Sequence, residues 1–397
     1  MTLTNSTTGT SVGVIIVPVE LTDPPDWNLG PLPVSSSKVT ATDPVRRTYF
    51  HERTAKSLYG DEDHRLRFHR LPAPDETLDG CPVLGVELLR VQDTVQPALA
   101  LLMIHLNLGD LPVEAASRLR WLSGGQFACG TTPESLTDGS CRAADDRTRA
   151  TIVSFVSFPD GIPSSPFGDD CRWSDLEQSL VQMATATPAS EFPPDPQANP
   201  PKTLFLSRSW RGLVMREGVA FLAQQPDDGT DPFLADGSAE LHLRSIYVDA
   251  VLLGLIQRTS LHELAEQLAT RQPEVPRLEH LREIETRLDD FRVALWGQHV
   301  TPHGPANELL LDYQAQHRLP ELLAQIVGDL NDSARLHGAI GGERAARSLD
   351  LITKVGLPAG AVLALTPVWI EFGALNAAAA LLIAMIAGFG FLVMMER

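Results

Sequence analysis

The chain has 397 residues, which at about 150 residues per domain suggests two or three folded units. Lys and Arg total 32 against 50 Asp and Glu, a formal charge of −18 that argues against wrapping a nucleic-acid backbone. Four Cys with no CxxC pair exclude a disulfide scaffold or zinc ribbon, and the polar stretch Met1–Ser11 shows no secretory signal.

In chain order, the N-terminal body reads as mixed α and β. Val12–Leu21, Val83–Val91, Ala98–Leu108 and Thr151–Phe158 are apolar runs of strand length. Thr203–Arg208 and Gly212–Leu222 read as later strands, the last folded back at Glu217–Gly218. A helix is expected from Pro112 to Leu122, stopped by Gly124–Gly125, and another after the capping box Ser174–Glu177. Ala186–Lys202 is too proline-rich for regular structure, and Pro226–Gly237 is an acidic loop. Ile246–Ile256 is too short to span a membrane and holds Asp249, so it reads as a buried helix. Ser260 with Glu263 reads as a capping box that opens a helix at Leu261. Leu281, Ile284, Leu288, Phe291 and Leu295 form a coiled-coil-like seam, continued by Leu319, Leu323, Ile326 and Leu330.

The C-terminal 47 residues differ from everything upstream. Residues 351–397 hold only Lys354, Glu371, Glu396 and Arg397 as charges, so the net −18 lies entirely before them. Val355–Ile370 and Ala374–Met395 are uncharged, and a spanning helix needs roughly 20 apolar residues. These runs read as a transmembrane hairpin, with spans at about 351–370 and 374–395. Arg344, Arg347, Lys354 and Arg397 flank the hairpin while its connector carries Glu371 and no base. The positive-inside rule then puts both chain ends in the cytoplasm of a multi-pass plasma-membrane protein. Gly356, Gly360 and Ala364 on the first span, and Ala380, Ala384 and Gly388 on the second, recur every four residues and suit close helix packing in lipid. Pro358 predicts a kink low in the first span. The resulting organisation is an α+β cytosolic domain over 1–237, a long helical stalk over 238–348 and the hairpin over 349–397.

Enzyme signatures are missing. No GK dipeptide, no strand-borne GxGxxG and no GxSxG occurs, and His262–Glu263 lacks a second ligand four residues on. His64 and His69 with Asp61, Glu62 and Asp63 could gather a metal, but the interspersed Arg65, Arg67 and Arg70 favour a solvated charge cluster. Cys129, Cys141 and Cys171 read as isolated thiols. The chain is read as no enzyme. Lysine occurs only at positions 38, 56, 202 and 354, and the arginine bias is that of a GC-rich bacterial genome.

An acidic body, amphipathic helices and a two-span tail with both ends inside together resemble the CorA-like magnesium transporter superfamily. The wording is closest over Ser348–Leu365, SLDLITKVGLPAGAVLAL, where the family's stalk helix enters the membrane through an LTiit…LP pattern and Pro358 matches the proline. The family's GMN triplet is absent; the nearest stretch is GALN, Gly373 to Asn376. The resemblance implies a pentamer whose first span lines a cation pore, and closure when magnesium bridges acidic groups, for which Asp61–Asp63 and Asp227–Asp236 are the densest candidates. Glu371, Gly373, Asn376 and Thr366 become candidates for the ion mouth. A second reading stays open beside this one. In it the chain is a membrane-tethered sensor or effector module, of the sort used in bacterial stress or conflict systems, whose hairpin is an anchor or an effector pore. The partners expected are the lipid bilayer and other copies of the chain, with no nucleic acid; a divalent cation, magnesium, is the one cofactor implied.

Overall fold

A computed structural model describes residues 10–333 and 335, apart from 62, 92–98, 159–160, 163–171, 192, 194, 196, 208, 224–236, 271–276, 297–299. The expected hairpin and every residue assigned to its mouth, packing stripes and kink lie outside the described residues, as do Cys171 and nearly all of the acidic loop after Pro226. Among the described residues no helix is long and apolar enough to cross a membrane. The chain divides into two compact units, 1–271 with 284–326, and 272–283 with 327–397.

The first unit is built on a mixed sheet. Its strand order is Leu204–Phe205, Trp210–Val214, Gly218–Ala223, Thr151–Ser157, Ser11–Leu21, Leu99–Asn107, Cys81–Arg90, Arg67–Arg70 and Asn28–Leu29. Neighbours are antiparallel except Thr151–Ser157 with Gly218–Ala223, which run parallel. Apolar runs of this length form strands covered on both faces, because neither alternating set of side chains can be left in water. Val12, Val14 and Ile16 therefore enter one core, and Ile15, Val17 and Val19 the other. Helices Pro112–Leu119 and Asp175–Thr185 cover the second core; Glu52–Tyr59, Val248–Ala269 and Gly304–Gln316 cover the first.

Local signals account for some element ends and mislead at others. Ser174 Oγ accepts from the Glu177 amide and the Glu177 carboxylate accepts from the Ser174 amide, so this capping box forms as its spacing predicts. The Ser260–Glu263 pair does not form one: Ser260 lies inside the Val248–Ala269 helix. The apolar run before Ser260 is itself helical, so no chain entry exists there for Ser260 to cap. The helix starting at Pro112 stops at Leu119, and Trp121–Ser123 instead pairs with Arg147–Arg149 as a small antiparallel ribbon.

Residues 248–257 are buried all round, as expected for the Asp249-bearing stretch. A helix apolar on every side needs protein on every side. Here it shares the core with the sheet, so over Ser238–His242, Val248–Ala269 and Gly304–Gln316 the helical region belongs to the same compact unit as the strands. Gly254 permits the close approach, since a Cβ there would run into the ring of Tyr313. Gln314 Nε2 donates to Gln257 Oε1 at 2.9 Å, and Gln257 Nε2 donates to the Leu295 carbonyl at 2.7 Å, so the buried amides between these helices are paired. Within this unit the seam residues Ile284, Leu288 and Phe291 are buried, as are Leu319 and Ile326.

Candidate functional site

Three elements each carry a buried ionisable residue within an apolar run: Glu87 in Cys81–Arg90, His105 in Leu99–Asn107 and Asp249 in Val248–Ala269. Strand pairing puts Glu87 opposite Met103 and His105 opposite Gly85, so Glu87 and His105 are diagonal neighbours on one sheet face. Two arginines and a tyrosine from the surrounding segments complete the group. Arg67 comes from the adjoining strand, Arg46 from Asp43–Arg47 and Tyr59 from the end of Glu52–Tyr59. All of these side chains are buried, with 0% relative exposure.

Asp249 is the hub. Its Oδ2 accepts from Arg46 Nε at 2.8 Å and from the Tyr59 hydroxyl at 2.6 Å. Its Oδ1 accepts from Arg46 Nη2 and Arg67 Nη1, both at 2.6 Å. Arg67 Nε donates to Glu87 Oε2 at 2.6 Å, and His105 Nε2 lies 2.8 Å from Glu87 Oε1. Arg46 also reaches the Leu32 carbonyl at 3.1 Å, satisfying a donor that would otherwise be stranded. Charge-assisted bonds of this length are the strong class of protein hydrogen bond.

The protonation states follow from the geometry. Ionised Glu87 can only accept a hydrogen bond, so His105 donates and Nε2 is the nitrogen that carries the hydrogen. The other ring nitrogen, Nδ1, faces Arg244 Nε at 3.4 Å, a group that can only donate. His105 is therefore neutral between a carboxylate and a guanidinium. Burial pushes its pKa down to about 4, with Glu87 opposing that shift and Arg244 and Arg46 adding to it. Burial alone would raise both acids, yet the two arginines outweigh it and hold Glu87 well below, and Asp249 below, the ordinary carboxylate range. Asp249 and Glu87 in turn keep Arg46 charged despite burial. Two guanidinium charges face two carboxylates, and the cluster is neutral as a whole.

Arg244 and Asp249 reach the same sheet face for a local reason. Residues five apart on an α-helix point about 140° from each other. Leu243–Tyr247 is a turn of π-helix, whose bonds span five residues, and this wider turn narrows the angle between the two positions. Arg244 is then steadied by Glu240 at 2.8 Å.

Of the groups singled out in the sequence for metal binding, Glu62 lies outside the described residues, and the two histidines have separate partners. His69 Nδ1 donates to the Gly30 carbonyl at 2.9 Å, whereas His64 sits in an exposed turn whose amide donates to Asp61. No group of three His, Cys, Asp or Glu able to hold a metal occurs among the described residues. His262 Nδ1 donates to the Arg258 carbonyl of its own helix. Cys81, Cys129 and Cys141 are free thiols. Of the cluster, Asp249 alone is expected from the sequence to be buried, although Glu87 and His105 interrupt apolar runs in the same way; the partners that bind Asp249 lie 182, 190 and 203 residues away.

The cluster is closed to solvent, so its chemistry is that of a clasp. It ties three sheet strands, the two short helices near the N-terminus and the long buried helix to one another. The sequence matches no protein-family model and no curated protein.

Proposed function

We propose that this protein is an oligomeric membrane protein, similar in plan to CorA-like transporters, which passes or gates cations through a C-terminal two-span hairpin. One observation carries the reading: two uncharged apolar runs, Val355–Ile370 and Ala374–Met395, separated only by Glu371, Phe372 and Gly373. The first span lines the pore in this reading, with Pro358 bending it, and Gly356, Gly360, Ala364, Ala380, Ala384 and Gly388 packing the spans. The α+β body stays in the cytoplasm as the gating part. Its acidic surface supplies carboxylates that a divalent cation such as magnesium can bridge between subunits.

Glu371 is the only acid between the spans, so copies of it around an axis form a carboxylate ring, with Asn376 contributing amides beside it. Such a ring concentrates cations and repels anions. Glu371→Gln is expected to lower cation flux several-fold and to weaken the preference for cations over anions, with assembly intact. Ion-substitution flux assays on the reconstituted variant check this, and unchanged selectivity reduces Glu371 to a turn residue. The missing GMN triplet favours a second reading, in which the hairpin only anchors the body and the body recognises a partner. That reading expects a protein that stays in the membrane fraction and conducts nothing.

A further inference from the structure

We propose that His105 makes the clasp between the sheet and the helical run 238–269 releasable by acid. The clasp lies within the body and works whatever the hairpin does. It stands on the position of one neutral imidazole in a sealed, charge-balanced cluster. His105 Nε2–H is committed to Glu87 and its Nδ1 lone pair to Arg244. A second proton has to enter at Nδ1, directly against a guanidinium.

The groups around that imidazole leave no room for the added charge. Glu87 stands on the neighbouring strand and is already engaged by Arg67 at 2.6 Å, with Arg46 3.9 Å from its other oxygen. Asp249 is saturated by Arg46, Arg67 and Tyr59. On the opposite side the central strand presents Val14, which offers no countercharge. Glu240, the remaining acid nearby, is paired with Arg244. A protonated His105 thus adds a third buried cation to two carboxylates, and opening the helix away from the sheet is the route by which it regains water.

The direction with pH follows. His105 has a folded pKa of about 4, below the ordinary histidine value near 6.5, so the closed clasp binds fewer protons than the open one. The stabilisation is present above pH 6.5 and is lost as pH falls towards 4. One proton linked to opening raises the open fraction up to about tenfold per pH unit across that window. His317, pushed down to about 4 by burial, adds to the same trend at the end of Gly304–Gln316, and His317→Gln removes its share. Glu87 and Asp249 release only at lower pH, since both are held below their ordinary range.

The test is hydrogen exchange by mass spectrometry on the full chain in detergent micelles, from pH 7.5 to 4.5, corrected for intrinsic exchange. Peptides covering 241–257 are expected to lose protection by about 10- to 100-fold between pH 6.5 and 4.5, ahead of the Thr151–Ser157 strand. In His105→Gln the amide can still donate to Glu87 but cannot take up a proton, so the loss should shrink at least tenfold. Arg244→Gln is the second variant. Burial is the larger cause of the low folded pKa of His105, so removing the cation at Nδ1 relieves only part of it, and the pH dependence should fall between those of wild type and His105→Gln. The proposal is overturned if protection of 241–257 is flat over this range, if it falls no sooner than that of Thr151–Ser157, or if the variants that fold keep the wild-type slope.

Discussion

Replacing Asp249 with alanine is expected to destabilise the body by about 3–5 kcal/mol, the range for removing one partner of a buried ion pair. The loss has two sources. Arg46 and Arg67 keep their charges without the carboxylate that balances them, and the Tyr59 hydroxyl loses its acceptor. Arg46 is also engaged by Asp249 through two separate nitrogens, so no single rotation restores its pairing. Exposed pairs behave differently. Glu20 and Arg142 form a bidentate contact at 2.7 and 2.9 Å, but both side chains are more than 40% exposed, and Glu20→Ala should cost about 1 kcal/mol or less. Urea unfolding of both variants gives the comparison; equal midpoints would mean that the buried cluster does not hold the helix to the sheet.

The second large effect is expected at Trp210. Its ring lies 5.8 Å from Phe155, 5.6 Å from Phe221 and 5.6 Å from Tyr247, joining three sheet strands to the π-turn. Only 1% of it is exposed, so Trp210→Ala leaves a cavity that the surrounding strands are too constrained to close. The cost should be about 3–5 kcal/mol, with Trp210→Phe costing less because part of the ring contact survives. Near-ultraviolet circular dichroism and thermal unfolding report both the lost packing and the lost stability. A midpoint for Trp210→Ala within a degree of wild type would show that this aromatic group does not hold the core.

How far the sequence revealed this architecture depends on the length of each apolar run. Val12–Leu21, Val83–Val91, Ala98–Leu108 and Thr151–Phe158 match observed strands to within two residues at each end, because their long apolar runs need cover on both faces. Trp121–Ser123 was hidden by the helical pattern running into it, and its pairing with Arg147–Arg149 is a long-range contact. The cluster divides along the same line. Asp249, Glu87 and His105 interrupt apolar runs, and an ionisable residue inside such a run signals a buried partner. Arg46, Tyr59 and Arg67 sit in segments rich in other charges, where nothing local separates a buried arginine from a solvated one. The π-turn left no pattern at all, since Leu243–Tyr247 reads equally well as ordinary helix.

The proposed function rests on the C-terminal hairpin, and ion flux through it is the most direct measurement. The full chain should be purified in detergent, its mass determined by light scattering, and the same sample reconstituted into liposomes loaded with a cation-sensitive dye. The expected result is a self-associated species and dye-reported entry of a monovalent or divalent cation, above the rate in empty vesicles. Liposomes that stay tight to every cation tested, from a preparation shown to be membrane-inserted, would contradict it and leave the hairpin as an anchor.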